Sequence, residues 1–316
     1  MLTYLVRRIA ISFLVLIGLS IGVFAMVRLV PGDTVTAMLG TNYNEADAAA
    51  LREQLGLDQP VPVQYVIWVG NVLQGDFGST INGQPVTGEI ATALPVTVEL
   101  MLISLGVAIM LGIPLGVIAA VKRNTSIDGA VGLVGLIGLS VPGFWLGTLL
   151  ILLFALRAGW LPSGGFVAIT RDPAANLSHI ILPGIALGAA VAAVVLRMTR
   201  ASMVEVVSQQ YIRVARAKGV GRARVIFRHA LRNGMIPVLT IIGIQAGYLL
   251  GGSVVIEEVF SLNGLGRLIL RAIGDRDYAL LQAAILLVGF SFLAINLLVD
   301  LIYAAIDPRV RVGGGR

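Results

Sequence analysis

Residues 9–27, IAISFLVLIGLSIGVFAMV, run for 19 positions without a charged side chain. That is close to the ~20 apolar residues an α-helix needs to cross ~30 Å of hydrocarbon. Further apolar runs lie near 96–121, 130–156, 180–200, 236–256 and 279–306, each closed by polar or Pro/Gly-containing turns. The pattern predicts an all-α polytopic membrane protein with six spans. Arg7 and Arg8 precede the first run as they would in a secretory leader, but the run exceeds the usual ~7–15 residues and no small-x-small site closes it. A retained helix is expected.

The stretch between the first two runs has a different pattern. NEADAAALREQLGLD reads as an amphipathic helix with Ala48, Leu51 and Leu55 on one face, and 60–74 as a second helix entered through prolines. The expected organisation is a first span over 1–30, a small external subdomain over 31–94, a five-helix core over 95–306 containing a loop at 201–235, and a tail at 307–316.

Composition agrees: 57% of residues are hydrophobic and 13% charged, against about 25% charged in soluble domains. The net charge of +6 does not imply nucleic acid, because such binding needs a solvated basic face. The basic residues gather instead in alternate connections. Arg7 and Arg8, Lys122 and Arg123, those between 197 and 232, and Arg309, Arg311 and Arg316 make up 16 of the 23 Lys and Arg. The positive-inside rule then places these connections and both termini in the cytoplasm, in the plasma or inner membrane with lipid around the spans. Segment 31–94 faces out, with Arg52 against seven acids.

Candidate chemistry is sparse. Without cysteine there is no disulfide or thiolate site, and His179 and His229 are too far apart for metal-ligand spacing. Asp76-Phe77-Gly78 resembles a kinase metal motif but lacks the glycine-rich and catalytic loops that give it meaning. No Gly-x4-Gly-Lys-Ser/Thr loop is present to hold a nucleotide. No catalytic, cofactor or metal residue is expected, and the chain is not expected to be an enzyme. Glycines four apart at Gly112/Gly116, Gly143/Gly147, Gly184/Gly188 and Gly243/Gly247/Gly251 read first as close helix packing. The last set also carries Gln245 and Tyr248, which makes Gln245, Gly247, Tyr248 and Gly251 candidates for lining a pathway.

The densest polar feature is YIRVARAKGVGRARVIFRHALRNGMIP, residues 211–237, which is rich in Arg and Lys and holds no acid. A helical reading of 222–232 puts Arg224, Arg228 and Arg232 on one stripe beside Ala223, Ile226, Phe227 and Ala230, as in a segment lying along a membrane surface. Headgroup attraction of ~1 kcal/mol per basic residue accounts for the charge. It does not account for ARAKG, where small residues let another surface come close.

This stretch resembles the cytoplasmic loop of the inner-membrane subunits of binding-protein-dependent ABC importers. Aligned on Gly219, Ala215 and Leu231 also match the general Glu-Ala-Ala, x3, Gly, x9, Ile-x-Leu-Pro pattern, while Arg213 stands at the acid and Arg232 at the proline. The wording YIRVARAKG is similar to the dipeptide/oligopeptide/nickel branch, as are LVPGD (29–33), QLGLDQPVPVQY (54–65), GDFG (75–78), ALPVTVEL (93–100), SVPGFWLG (140–147), GWLPSGG (159–165), EEVFSLNGLG (257–266), RDY (276–278) and DPRVR (307–311). The long segment after the first helix looks like the first of the branch's paired permeases.

The resemblance implies the type I ABC importer permease fold. It implies a second homologous permease, two ATP-binding subunits that hold ATP and Mg, and an extracellular or periplasmic binding protein as partners. It also implies coupling to the ATPase through Arg213, Ala215, Arg216, Ala217, Lys218, Gly219 and Val220. The substrate class it implies is dipeptide or oligopeptide, with haem, glutathione or chelated nickel as alternatives. An ion-coupled secondary transporter would need ionisable groups within its spans, and Glu99, Glu257, Glu258 and Asp300 all fall toward span ends on the boundaries above. A structural subunit without a pathway is the remaining alternative.

Overall fold

The computed structural model describes residues 2–29, 44–54 and 58–306. Most of LVPGD, Leu55, DPRVR and the 307–316 tail lie outside the described residues. The described chain is helical, and its only strand-like pairing is a single bridge between Ser79 and Pro85. Its helices are α1 (Leu2–Leu29), α2 (Glu45–Gln54), α3 (Val61–Leu73), α4 (Val86–Val121), α5 (Ser126–Ser140), α6 (Gly143–Leu150) and α7 (Pro173–Ser208). They continue with α8 (Gln210–Ala217), α9 (Leu231–Gly252), α10 (Val254–Val259), α11 (Leu265–Asp275) and α12 (Tyr278–Ile306).

Five segments are long and apolar enough to cross a membrane: Val6–Arg28, Val86–Val121, Pro173–Ser208, Arg222–Gly252 and Tyr278–Val299. A bent helix pair is the sixth candidate. α5 and α6, the latter extended by a π-helical turn over Ile151–Arg157, meet at 100°. The break is local in origin. Val141 is extended (φ −80, ψ 120) ahead of Pro142, because the proline ring crowds an α-helical residue before it and brings no N–H to continue the helix. The straight run expected over 130–156 is corrected accordingly.

α4 and α7 are longer than their hydrophobic runs. Each has 36 residues, which at 1.5 Å per residue makes a rod of about 54 Å. α4 begins at Val86, so the boundary expected at 94/95 falls inside a helix, and Pro95 lies within it rather than at its head. Its first turns are held by packing instead of by lipid. Val86, Ile90 and Ala93 bury against Leu265, Leu268 and Ala272 of α11 and Leu280 of α12.

The two rods form the core of the molecule because glycines on each face the other's backbone. A Cβ at Gly112 would lie 2.8 Å from the Ala192 carbonyl oxygen, and one at Gly188 2.6 Å from the Ser104 carbonyl oxygen. Close packing is therefore what these spacings encode. The same holds on α9, where Gly243 abuts Val299 and Gly247 abuts Phe292, both on α12.

Candidate functional site: the basic elbow

At the Val121 end of α4, the chain leaves α7 through Gln209 in an extended conformation (φ −66, ψ 150) and starts α8 at Gln210. Ile212 is the anchor of this short helix. It is fully buried in a cluster with Val117 and Ala120 of α4, Met203 of α7, and Val225 and Ala230. The opposite face of α8 is solvent-exposed and carries Arg213 and Arg216, followed by exposed Ala217, Lys218 and Gly219, while Ala215 and Val220 are half-buried.

The turn after α8 depends on Gly219. Its φ is +78, a region L-residues avoid at a cost of roughly 1–2 kcal/mol. No atom lies within 4 Å of where its Cβ would be. The conformation, not crowding within the chain, calls for glycine there. The bonds Gly219 N to Arg216 O (3.0 Å) and Val220 N to Ala215 O (3.2 Å) close the turn. Tyr211 ties the start of α8 to α9, its hydroxyl accepting from Asn233 Nδ2 at 2.8 Å.

From Arg222 the chain is helical again, through a π-helical segment Val225–Ala230 and directly into α9. Residues 222–232 therefore extend a span and do not form a separate helix lying on the membrane surface. The helical periodicity was legible, but the absence of a break was not, since a π turn has no simple residue signature. Arg224, Arg228 and Arg232 remain exposed around this extension. Between the ends of α4 and α7 and the elbow lies an open groove of about 580 Å³, with Arg123, Arg216 and Arg222 among its lining residues.

The pathway candidates do not share one face. Gly247 is buried against Phe292, in the α9–α12 contact. Gln245 is half-buried. Tyr248 (67% exposed) and Gly251, which has no neighbour within 4 Å of a Cβ, lie with Ile244 and Val255 on a stripe turned away from the chain's own core. His179 is accounted for by its helix: its Nδ1 lies 2.7 Å from the Ala175 carbonyl oxygen, one turn back. Among the described residues no group of three or more His, Cys, Asp or Glu could hold a metal.

Two polar nodes were not visible in the sequence. Asp128 at the start of α5 takes a two-pronged contact from Arg200 of α7, at 2.6 Å from Nε and 2.8 Å from Nη2, and also accepts from Asn124 N. At the far end of the molecule Glu257 is fully buried. It accepts from the Thr97 hydroxyl of α4 at 2.8 Å and from Arg267 N at 3.0 Å, while Leu265 N donates to the Thr97 hydroxyl at 2.8 Å. Two free N–H groups at the start of α11 are thus satisfied by side chains. Gly264 is needed because a Cβ there would come within 2.5 Å of the Glu257 carboxyl carbon.

EEVFSLNGLG is therefore a latch, and GDFG and RDY are joints of the same kind. Gly75 and Gly78 have positive φ, and Asp76 Oδ1 accepts from Gly78 N. Asp277 takes Ile81 N and Leu280 N, which ties the 75–85 turn to the head of α12. Glu99 is the exception. It lies within α4, three positions into the apolar run that begins at 96, and its Oε1 is buried without a hydrogen-bond partner among the described residues.

Comparison with known proteins bears on what such an elbow serves. Residues 112–312 match the family described as "Binding-protein-dependent transport system inner membrane component", and residues 1–101 match "Binding-prot-dependent transport system membrane comp, N-term". The chain is 45% identical over 312 residues to the "Glutathione transport system permease protein GsiC" of Escherichia coli (strain K12), covering 98% of this chain and 99% of that one. The protein of the same name from Salmonella typhi is 44% identical over the same length. Among solved structures, the inward-facing MetNI methionine ABC transporter aligns with TM-score 0.59 at 19% identity, over 69% of this chain and 96% of that chain. An amino acid ABC transporter with histidines aligns at 0.53 and 16%, over 69% and 94%. At these identities the structural likeness speaks for the fold alone.

Proposed function

The chain belongs to the binding-protein-dependent transport system inner membrane components, in their dipeptide/oligopeptide/nickel branch, and from that premise we propose that it carries short peptides, glutathione foremost, across the membrane. It is a multi-pass permease subunit of an ABC importer. The observation behind the substrate is its end-to-end likeness to glutathione permeases. Glutathione is itself a tripeptide, so this narrows the peptide class implied by the motifs. Dipeptides and other oligopeptides are the second reading, supported by the wording of YIRVARAKG and EEVFSLNGLG.

In this reading the chain forms half of the pathway and a second homologous permease the other half. A binding protein delivers the peptide, and two separate subunits bind ATP and Mg and hydrolyse the ATP. The elbow is the docking element toward them. Arg213, Arg216 and Lys218 reach carboxylates or carbonyls of the partner, and exposed Ala217 and Gly219 let its backbone approach. Tyr248 and Gly251, on the outward stripe of α9, face the pathway or the companion permease.

The test is uptake of labelled glutathione into vesicles holding the complete complex and its binding protein, in competition with dipeptides. Accumulation that needs both ATP and the binding protein, and that excess dipeptide displaces poorly, is expected. Uptake of dipeptides but not glutathione would overturn the glutathione assignment and leave the peptide class. Uptake of neither would overturn both.

A further inference from the structure

Outside the spans, α3 presents a bare apolar surface. From Gln59 to Gly75 there is no Asp, Glu, Lys or Arg, and Asp58 and Asp76 bracket the stretch. No residue of α3 is buried. Val63, Val66, Ile67 and Leu73 form one exposed face at helical spacing, with Val66 68% and Leu73 82% exposed. A helix of this composition is not stable facing water on that side.

Its other side is tied to the last turns of the first span. The Tyr65 and Trp68 rings pack on Phe24 with centroids 5.2 and 5.6 Å away, and the Tyr65 hydroxyl is 2.8 Å from Ser20 Oγ. Arg28, the last residue of that span, stacks its guanidinium 3.4 Å from the centre of the Phe24 ring and donates to the Gln64 side chain. The contacts run from Arg28 back to Ser20, eight positions, and centre on Phe24, so α3 sits within about 12 Å of the span's end, its rings about 6 Å in. That is the depth at which helices lie in the headgroup–acyl boundary, about 5–10 Å in. Tyr and Trp are the residues that favour this zone, and Arg the one that reaches out of it. The flank of α1 is itself membrane surface, since only 11% of the span's most apolar window is covered by the rest of the chain.

We propose that α3 is an interfacial helix whose Val63–Val66–Ile67–Leu73 face lies in the lipid of the leaflet at the Arg28 end of α1, anchoring the segment between the first two spans to the bilayer and not to another protein. The inference needs only the membrane family, not the substrate. It turns this part of the 31–94 segment away from roofing a pathway.

The natural absence of cysteine permits a direct test. Single nitroxide labels at Val66→Cys and Ile67→Cys, in the reconstituted complex with both permeases and the ATPase, are read for collision with oxygen, which concentrates in lipid, and with a water-soluble nickel chelate. Leu14→Cys, at an exposed mid-span position, is the lipid reference, and Asp58→Cys the water reference. The expected result is an oxygen-to-nickel collision ratio several-fold above Asp58→Cys and approaching Leu14→Cys at both sites. Ready collision with nickel, as at Asp58→Cys, would mean a solvated helix and overturn the proposal. Shielding from both agents would mean a protein cover, whether companion permease or binding protein, and would overturn it equally.

Discussion

A side chain at position 219 has room but not conformational freedom, and that combination makes it a clean probe of the elbow. Gly219→Asp is expected to leave the amount of membrane-inserted chain unchanged, because insertion depends on the spans and nothing lies within 4 Å of the new Cβ. It should cut transport severely and weaken ATPase attachment or its stimulation by substrate. Gly219→Asn, which shares Asp's tolerance of positive φ but adds no negative charge among the basic side chains, should retain more activity. Arg224→Ala and Arg228→Ala serve as controls, each costing about 1 kcal/mol of headgroup attraction. Equal behaviour of Gly219→Asp and these controls would reduce the segment to a basic anchor. Rates of uptake and ATP hydrolysis on the same vesicles decide it. A second residue-scale expectation concerns Asp128 and Arg200. Removing the carboxylate in Asp128→Ala leaves Arg200, whose side chain is 37% exposed, partly compensated by water, so the loss should be smaller than for a fully buried ion pair. Thermal unfolding of the single and double variants would show strong non-additivity. The Gly219 turn was legible because glycine between basic residues is a local signal. The ion pair was not, because 72 positions separate its partners and nothing local marks either one.

Among the elements, the joint of α4, α10 and α11 invites the sharpest test. Glu257→Ala would strand the Thr97 hydroxyl and Arg267 N in a dry site, at roughly 1–3 kcal/mol for each unsatisfied group. Gly264→Ala alone should be comparably harmful because its methyl meets the Glu257 carboxyl. Combined, the two should cost less than their sum, since the first removes what the second collides with; an additive result in melting of the detergent-purified complex would refute the steric account. The order of the spans could be read from runs of apolar residues, because the bilayer imposes that pattern directly. Their true lengths could not. Packing on α11 and α12 carries α4 back to Val86, and a proline after Val141 folds one run into two helices, and neither effect appears in hydrophobicity alone. α3 was legible as a helix, but its apolar outer face only acquires meaning once Tyr65 and Trp68 are seen against Phe24.

For the molecule as a whole, the distribution of charge makes a claim about sidedness that labelling can settle. Cysteines placed at Glu45 or Asp172 should react with an impermeant reagent added outside intact cells, and those at Lys122 or Arg222 only after permeabilisation. The reverse pattern would invert the topology. Sidedness gives the interlocked glycine packing of α4 and α7 a further consequence. Two rods that mesh backbone to backbone over much of their length cannot bend independently, so they behave as a single stiff beam, pinned near one end by Ile212 and near the other by Glu257. A beam of about 54 Å that tips by about 10° swings its far end sideways by roughly 9 Å. Torque applied at the elbow by a partner would thus reach the opposite face of the membrane undiminished, as leverage rather than as a relay of small local shifts. Distances between spin labels on α7 and on the companion permease should then change little at the elbow and most at the Pro173 end.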